Sequence, residues 1–261
     1  MSNIVTYERR GEIAVITINR PDARNAVNAD VAQAMEAAID QLEADDGVWV
    51  GVLTANTEGH KSPVFCAGAD LKAINSGQGA GLNTERGGFA GLVYRERNKP
   101  LIVAVDGLAT AGGCEIVLSC DLVVASSASS FGLAEVKRNL IAGAGGLFRL
   151  PRAIGRSAAM EVILTGDPLT AQRAYDLGLV NRLTEPGQAL TVALELAAKV
   201  ATSAPMAVAE SRRVVLASQY EDDETLKKMT NRAMAKVMGS DDLKEGLTAF
   251  IEKRPPVWKN R

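Results

Sequence analysis

The 261-residue chain has one histidine and three cysteines, and that scarcity removes several mechanisms at once. A Ser-His-Asp triad would have to use His60, which lies in Thr57-Glu58-Gly59-His60-Lys61-Ser62, a segment that reads as a surface loop. Cys66, Cys114 and Cys120 are odd in number, sit in apolar stretches and lack CxxC spacing. Neither a disulfide framework nor a metal site is expected. The net charge of −2 supplies no attraction to nucleic acid or to an anionic membrane. No apolar run approaches the roughly 20 residues that a bilayer span needs. Residues Met1 to Glu8 lack the basic and apolar regions of a signal peptide, so the default compartment is the cytoplasm. Aromatic residues make up only 4% of the chain, few for a cage around a cation.

What is present is an ordinary globular composition, with 47% apolar and 23% charged residues. Ile13 to Asn19 alternates bulky β-formers and reads as a strand. From Asp30 to Leu42 the spacing places Val31, Met35, Ile39 and Leu42 on one helical face. Short apolar runs follow at Val48–Thr54, Pro63–Ala67, Leu101–Val105 and Leu122–Ala125, each bounded by turn residues. Strands alternating with helices predict an α/β layered fold. Neither a GxxxxGK[ST] loop nor a strand followed by GxGxxG occurs, so nucleotide-binding readings lack their motifs. Between Lys72 and Asn98 the pattern breaks, with glycines at 77, 79, 81, 87, 88 and 91; this stretch is expected to form a flexible flap near the substrate. After about residue 200 the chain turns helical. Pro205 marks one helix start, and a second is expected near Asp242, where Glu245 is spaced for a capping box. Leu243, Leu247, Phe250 and Ile251 give that helix an apolar face.

Two turns carry the chemistry. In Phe65-Cys66-Ala67-Gly68-Ala69-Asp70-Leu71-Lys72 a strand runs into small residues and then a helix start, and Ala111-Gly112-Gly113-Cys114-Glu115 repeats the arrangement. Small residues admit a ligand close to the backbone, and amides at helix starts are free donors, so two such turns side by side suit a developing oxyanion. Glu115 and Glu135 stand 20 residues apart, each beside a glycine-containing turn, and are the carboxylates available for acid–base work. From the residues alone, Glu115 equally complements a helix dipole, and Glu135 equally forms a surface ion pair with Lys137 or Arg138.

These stretches, with Gly143-Ala144-Gly145-Gly146, Asn19-Arg20-Pro21, Asn25-Ala26, Leu164-Thr165-Gly166 and Gly178-Leu179-Val180, closely resemble the crotonase (enoyl-CoA hydratase/isomerase) superfamily along nearly the whole chain. The resemblance implies a spiral of β-β-α turns over residues 1–200 holding the CoA and acyl sites, and a C-terminal helical trimerisation region over 201–261. It implies an acyl-CoA thioester substrate, no cofactor beyond the coenzyme A of the substrate, and a homotrimer or hexamer. By match to the family's motif, the amides of Ala69 and Gly112 form the oxyanion hole. Glu115 activates water, Glu135 delivers a proton to Cα, and the Gly143 N–H helps to place the water. Retention of both glutamates points to hydration of a 2-trans-enoyl-CoA. CoA contacts fall by the same match on Arg24, Ala67, Ala69, Asp70 and Lys72, and on Phe250 and Lys253 reaching a neighbouring subunit.

The chain also departs from the short-chain hydratases. Asn139-Leu140-Ile141-Ala142 replaces a Gly-Thr-Ile-Pro segment, and Leu147-Phe148 replaces a more polar pair, so the acyl pocket wall is altered. Gly87-Gly88-Phe89-Ala90-Gly91-Leu92 and Pro256-Val257-Trp258-Lys259 look like the carnitinyl-CoA dehydratase branch. A quaternary ammonium in that branch calls for an aromatic cage, for which Phe89, Tyr94 and Phe131 are the candidates. An enoyl-CoA isomerase is a rival that the second glutamate disfavours. The RNA-binding branch calls for a basic helix, whereas Asp30 to Asp46 carries six acidic residues and no lysine or arginine.

Overall fold

A computed structural model describes residues 4–59 and 61–261; His60 lies outside the described residues. The chain opens with an antiparallel hairpin, β1 (Val5–Arg10) and β2 (Ile13–Ile18). Then come α1 (Ala29–Ala44), β3 (Val50–Ala55), β4 (Val64–Cys66) and the short α2 (Leu71–Asn75). Two small strands, β5 (Asn83–Thr84) and β6 (Gly88–Phe89), precede β7 (Leu101–Val105), β8 (Leu108–Thr110) and α3 (Gly112–Leu118). A third turn carries β9 (Leu122–Ser126) and β10 (Ser130–Gly132), then α4 (Gly146–Ile154) and α5 (Arg156–Thr165). The rest is β11 (Leu169–Thr170), α6 (Ala171–Asp176), β12 (Arg182–Thr184), α7 (Ala189–Ala201), α8 (Pro205–Ala217), α9 (Asp223–Met238) and α10 (Asp241–Glu252).

Successive turns deal their strands alternately to two sheets. One runs β1-β2-β3-β7-β9-β12, the other β11-β10-β8-β4; neighbours from consecutive turns pair in parallel except β11, which lies antiparallel to β10. This is the expected spiral of β-β-α turns. The alternation of side chains along a strand explains why β3 and β7 read as unbroken apolar runs. Val50, Val52, Ile102 and Ala104 face α7 and pack with its Ala189, Ala193 and Ala197, while Leu53, Leu101, Val103 and Val105 face the inner core. Alanines at intervals of four let α7 lie close on the sheet. On α1, Val31, Met35, Ile39 and Leu42 are all fully buried, as their spacing predicts. Burying each stabilises the fold by roughly 1.5–3 kcal/mol.

Three expectations need correction. Helical structure begins well before residue 200, with α4 to α7 already laid down from Gly146. The last helix is capped by Ser240, whose hydroxyl accepts from the Leu243 N–H at 3.2 Å. Asp242 is buried instead, accepting from the backbone N–H groups of Lys259 and Asn260, and Glu245 is taken by Arg254 and the Val257 N–H. The glycine-rich stretch from 72 to 98 is no free flap: Leu82, Phe89, Ala90, Leu92 and Val93 belong to the core. Its glycines are there for contact, since a β-carbon on Gly87 or Gly91 would collide with the backbone of Gly91 or Ala32. Glu36 and Asp40 of α1 pin the same stretch through Thr84, Arg86 and Arg95.

Candidate active site

Parallel pairing of β4 with β8, with Val64 opposite Leu108 and Cys66 opposite Ala109, sends two chain segments into turns at the same sheet end. The turns meet backbone to backbone. Gly68 adopts φ +85°, and a β-carbon there would stand 2.8 Å from the Gly112 nitrogen; one on Gly113 would collide with the Cys66 carbonyl. Ala111, at φ 51° and ψ −129°, turns strand into helix in a single residue, a conformation unfavourable for a residue with a β-carbon. Its N–H donates to the Gly132 carbonyl at 2.8 Å, which ties in the third turn of the spiral.

The same packing leaves two amides free to face a ligand. Val27 bridges the first turn by donating to the Gly68 carbonyl and accepting from the Asp70 N–H, so the intervening Ala69 N–H points the other way. The Gly112 N–H opens α3 and has no intrahelical acceptor. Among the described residues neither amide donates to a backbone carbonyl. Phe89 closes one side: a β-carbon on Gly112 would stand 2.5 Å from its ring.

The carboxylates come from successive turns. Glu115, in the first turn of α3, is 3% exposed, and its Oε1 accepts from the Gly146 N–H at 2.8 Å. Burial pushes its proton affinity up, opposed by the Gly146 amide and raised again by the nearby charge of Glu135, to a pKa of about 7. Glu135 begins a single 3-10 turn, Glu135–Arg138, and burial raises its pKa as well, opposed by its own backbone amide and by Arg138. Its Oε2 is buried with no hydrogen-bond partner among the described residues. Among the described residues Glu135 makes no ion pair: Lys137 pairs with Asp167, and Arg138 donates to the Ala134 carbonyl and acts on Glu135 only through space. Two carboxyls with raised proton affinity, one feeling the charge of the other, and two amides without an acceptor among the described residues can together move protons and hold an oxyanion.

Set beside known proteins, this geometry has a clear family. The family model described as enoyl-CoA hydratase/isomerase matches residues 8–261. The chain belongs to the enoyl-CoA hydratase/isomerase family. A short-chain-enoyl-CoA hydratase of Clostridium acetobutylicum is 38% identical over 99% of both chains. An enoyl-CoA hydratase structure from Mycobacterium tuberculosis H37Rv superimposes with TM-score 0.93 at 46% identity, covering 100% of both chains. A carnitinyl-CoA dehydratase of Proteus mirabilis is 35% identical over 100% of both.

The family's other expected site residues fall in three places. Ala67 and Ala69 lie on the first turn, and Lys72 is exposed on α2 beside it. Asp70 is occupied: Oδ1 caps α2 through the Lys72 and Ala73 amides, and Oδ2 accepts from Arg20 at 2.7 Å. Arg24 lines a cleft of about 230 Å³ with Pro21, Asn25, Asn56, Lys61, Ser62 and Val64. Lys61 in that cleft escaped the sequence reading, since nothing in a loop lysine's neighbours marks it. Phe250 and Lys253 stand at the far end of α10, which packs on α9 and against Trp258, and Phe250 is 84% exposed. Within one chain they do not join the glutamates.

Gly143 is exposed, and its carbonyl accepts from the Tyr94 hydroxyl at 3.1 Å. Glu115 is held by the Gly146 amide, the last glycine of the same motif, and the Ala144 amide of that turn also favours its anion. Of the three aromatics proposed for a cage, Phe89 borders the Gly112 amide and none presents a free exposed face. Phe131 and Phe89 are buried in the core, and the Tyr94 ring already carries the Arg149 guanidinium 5.3 Å from its centroid.

Proposed function

We propose that this chain is an enoyl-CoA hydratase, adding water syn across the double bond of a 2-trans-enoyl-CoA through an enolate held in an oxyanion hole, and catalysing the reverse dehydration. The observation that carries this reading is the juxtaposition of the Ala69 and Gly112 amides with two carboxyls whose proton affinities are both raised. Carboxyls that interact titrate as a pair and share one proton over the window between their apparent pKa values. Hydration uses that state: water oxygen bonds to Cβ as a carboxylate takes its proton, and the other carboxyl gives its proton to Cα. In this assignment Glu115, held by the Gly146 amide, orients and deprotonates the water, with the Gly143 amide beside it. Glu135 protonates Cα; its buried oxygen has no other partner among the described residues, so a proton carried there is free to be donated to the substrate. The thioester oxygen takes up charge between Ala69 and Gly112, where each donor supplies about 2.7–4 kcal/mol of transition-state stabilisation. No cofactor is needed beyond the coenzyme A of the substrate. In this reading Arg24, Lys61 and Lys72 meet its phosphates and Ala67 its adenine; the support is that Arg24 and Lys61 line one cleft and Lys72 is exposed on α2.

Carnitinyl-CoA dehydration has less support, because the aromatics it calls for are buried or already faced by an arginine. Leu247, Phe250 and Ile251, each more than half exposed on α10, favour assembly into a homotrimer or a hexamer in which Phe250 and Lys253 reach a neighbour's CoA. The test follows loss of enoyl-thioester absorbance with crotonyl, medium-chain, long-chain and bulky 2-enoyl-CoAs, and its gain with carnitinyl-CoA as a further substrate. Turnover that falls by about 10²–10⁴ in both Glu115→Gln and Glu135→Gln is expected. Turnover that survives Glu135→Gln would favour an isomerase-type site, and none on any enoyl-CoA would end the hydratase reading.

A further inference from the structure

The turn that holds Glu115 is itself held from outside by one arginine. Arg149, in the second turn of α4, donates through Nη1 to the Ala144 carbonyl at 3.1 Å and through Nη2 to the Val93 carbonyl at 2.6 Å. Its guanidinium lies 5.3 Å from the Tyr94 ring centroid and 5.2 Å from that of Phe148, while the Tyr94 hydroxyl donates to the next carbonyl along, that of Gly143. One planar fork thus fastens the Gly143–Gly146 turn to the core segment that ends at Val93. The far end of that turn supplies the Gly146 amide on Glu115. Only a guanidinium fits this task, since two carbonyls on different segments must be met by two diverging N–H groups.

We propose that Arg149 is a positioning residue for Glu115: clamped to Val93 and Ala144 and backed by Tyr94, it fixes the turn whose amide holds the Glu115 carboxylate and sets that carboxyl's affinity for a proton. The proposal rests on Glu115 being an acid–base group of the hydration. The charges that bear on Glu115 are those of Glu135, which disfavours its anion, and Arg149, which favours it. Those that bear on Arg149 at neutral pH are Glu115 and the like charge of Arg97, the Tyr94 hydroxyl and Cys120 thiol beside it being uncharged; burial lowers the pKa of Arg149 without removing its proton at neutral pH. Loss of the cation and loosening of the amide therefore act in the same direction, and both raise the pKa of Glu115.

The test compares the parent with Arg149→Gln, Arg149→Lys and Tyr94→Phe. Infrared difference spectra against Glu115→Gln follow the carboxyl of Glu115 through its titration, and kcat and KM are measured on the best enoyl-CoA. In Arg149→Gln the Glu115 titration is expected to move up by about one pH unit, with kcat down about 10²-fold and KM within about threefold. Arg149→Lys keeps the charge, so the titration returns towards the parent while kcat recovers only in part, a split that mere loss of stability would not give. Tyr94→Phe lowers kcat by about two- to fivefold at an unshifted titration. An unmoved Glu115 titration in Arg149→Gln overturns the proposal, as does parent-like kcat in Arg149→Lys, the variant to rely on if Arg149→Gln does not fold. The infrared readout needs no turnover, so failure of the hydratase reading would appear separately, as an inactive parent in which Arg149 still governs Glu115.

Discussion

Glu115 and Glu135 come from successive turns of one spiral, yet their surroundings differ in kind. Glu115 is enclosed by α3 and the Gly143–Gly146 turn, with an amide on one oxygen and a guanidinium behind that turn. Glu135 starts a short exposed 3-10 turn, and its buried oxygen has no partner. Burial raises the proton affinity of both. Only Glu115 is also held in place by hydrogen bonds from elsewhere in the fold, so its position is fixed by long-range packing, whereas that of Glu135 is fixed by its local turn. The difference teaches that one member of the pair is tuned by the fold and the other is left to be completed by what binds.

The comparison breaks most severely if α3 is displaced while the Glu135 turn stays put. Gly113→Ala does this, because its β-carbon would meet the Cys66 carbonyl, a backbone atom that cannot swing aside. A loss of about 3 kcal/mol is expected from such overpacking, read as a lower Tm by differential scanning calorimetry, together with collapse of turnover. Gly143→Ala is the contrast: the nearest atom to its β-carbon would be the Ile141 carbonyl oxygen at 3.9 Å, and its Tm should match the parent within about a degree.

A smaller effect follows from protonation. The folded-state pKa of Glu115, about 7, lies above its ordinary value of 4.5, so the folded chain binds more protons between those limits. Stability from this group is therefore fully present below about pH 4.5 and lost as pH rises through 7, by on the order of 3 kcal/mol in all. Glu115→Gln keeps an acceptor for the Gly146 amide and does not titrate. Its Tm is expected to exceed the parent's by several degrees at pH 8, with the gap closing by pH 5. Glu135→Gln should show the same sign and a smaller gap; a larger one would invert the ranking of the two sites.

Much of this site was legible in the sequence because its logic is local. Small residues after a strand and a glutamate one helical turn later follow from chain geometry, and Val31, Met35, Ile39 and Leu42 declared their face by spacing. What could not be read was contact across the fold. The glycines at 87 and 91 look like looseness in a string of letters, yet they mark places where one backbone touches another. Ser240 outcompeted the expected cap at Asp242 because the carboxylate of Asp242 was needed by the returning C-terminal tail. β1 went unnoticed because half of it is exposed and charged, and only its antiparallel partner makes it a strand. Arg149 carried no local mark either, since its two acceptors lie 5 and 56 residues away.

The finest test separates the two cations that follow Glu135. Arg138 favours the Glu135 anion through space, whereas Lys137 spends its charge on Asp167 at 2.6 Å. Arg138 is exposed, so salt screens its influence. Arg138→Ala is expected to move the Glu135 limb of the pH–rate profile upward at low salt, an offset that vanishes near about 0.5 M salt. Lys137→Ala should leave the profile alone and cost under about 1 kcal/mol of stability, as half-exposed ion pairs do. If Lys137→Ala moved the limb instead, Glu135 would be coupled to the surface beyond its own turn, and the contrast with Glu115 would narrow to a difference of degree.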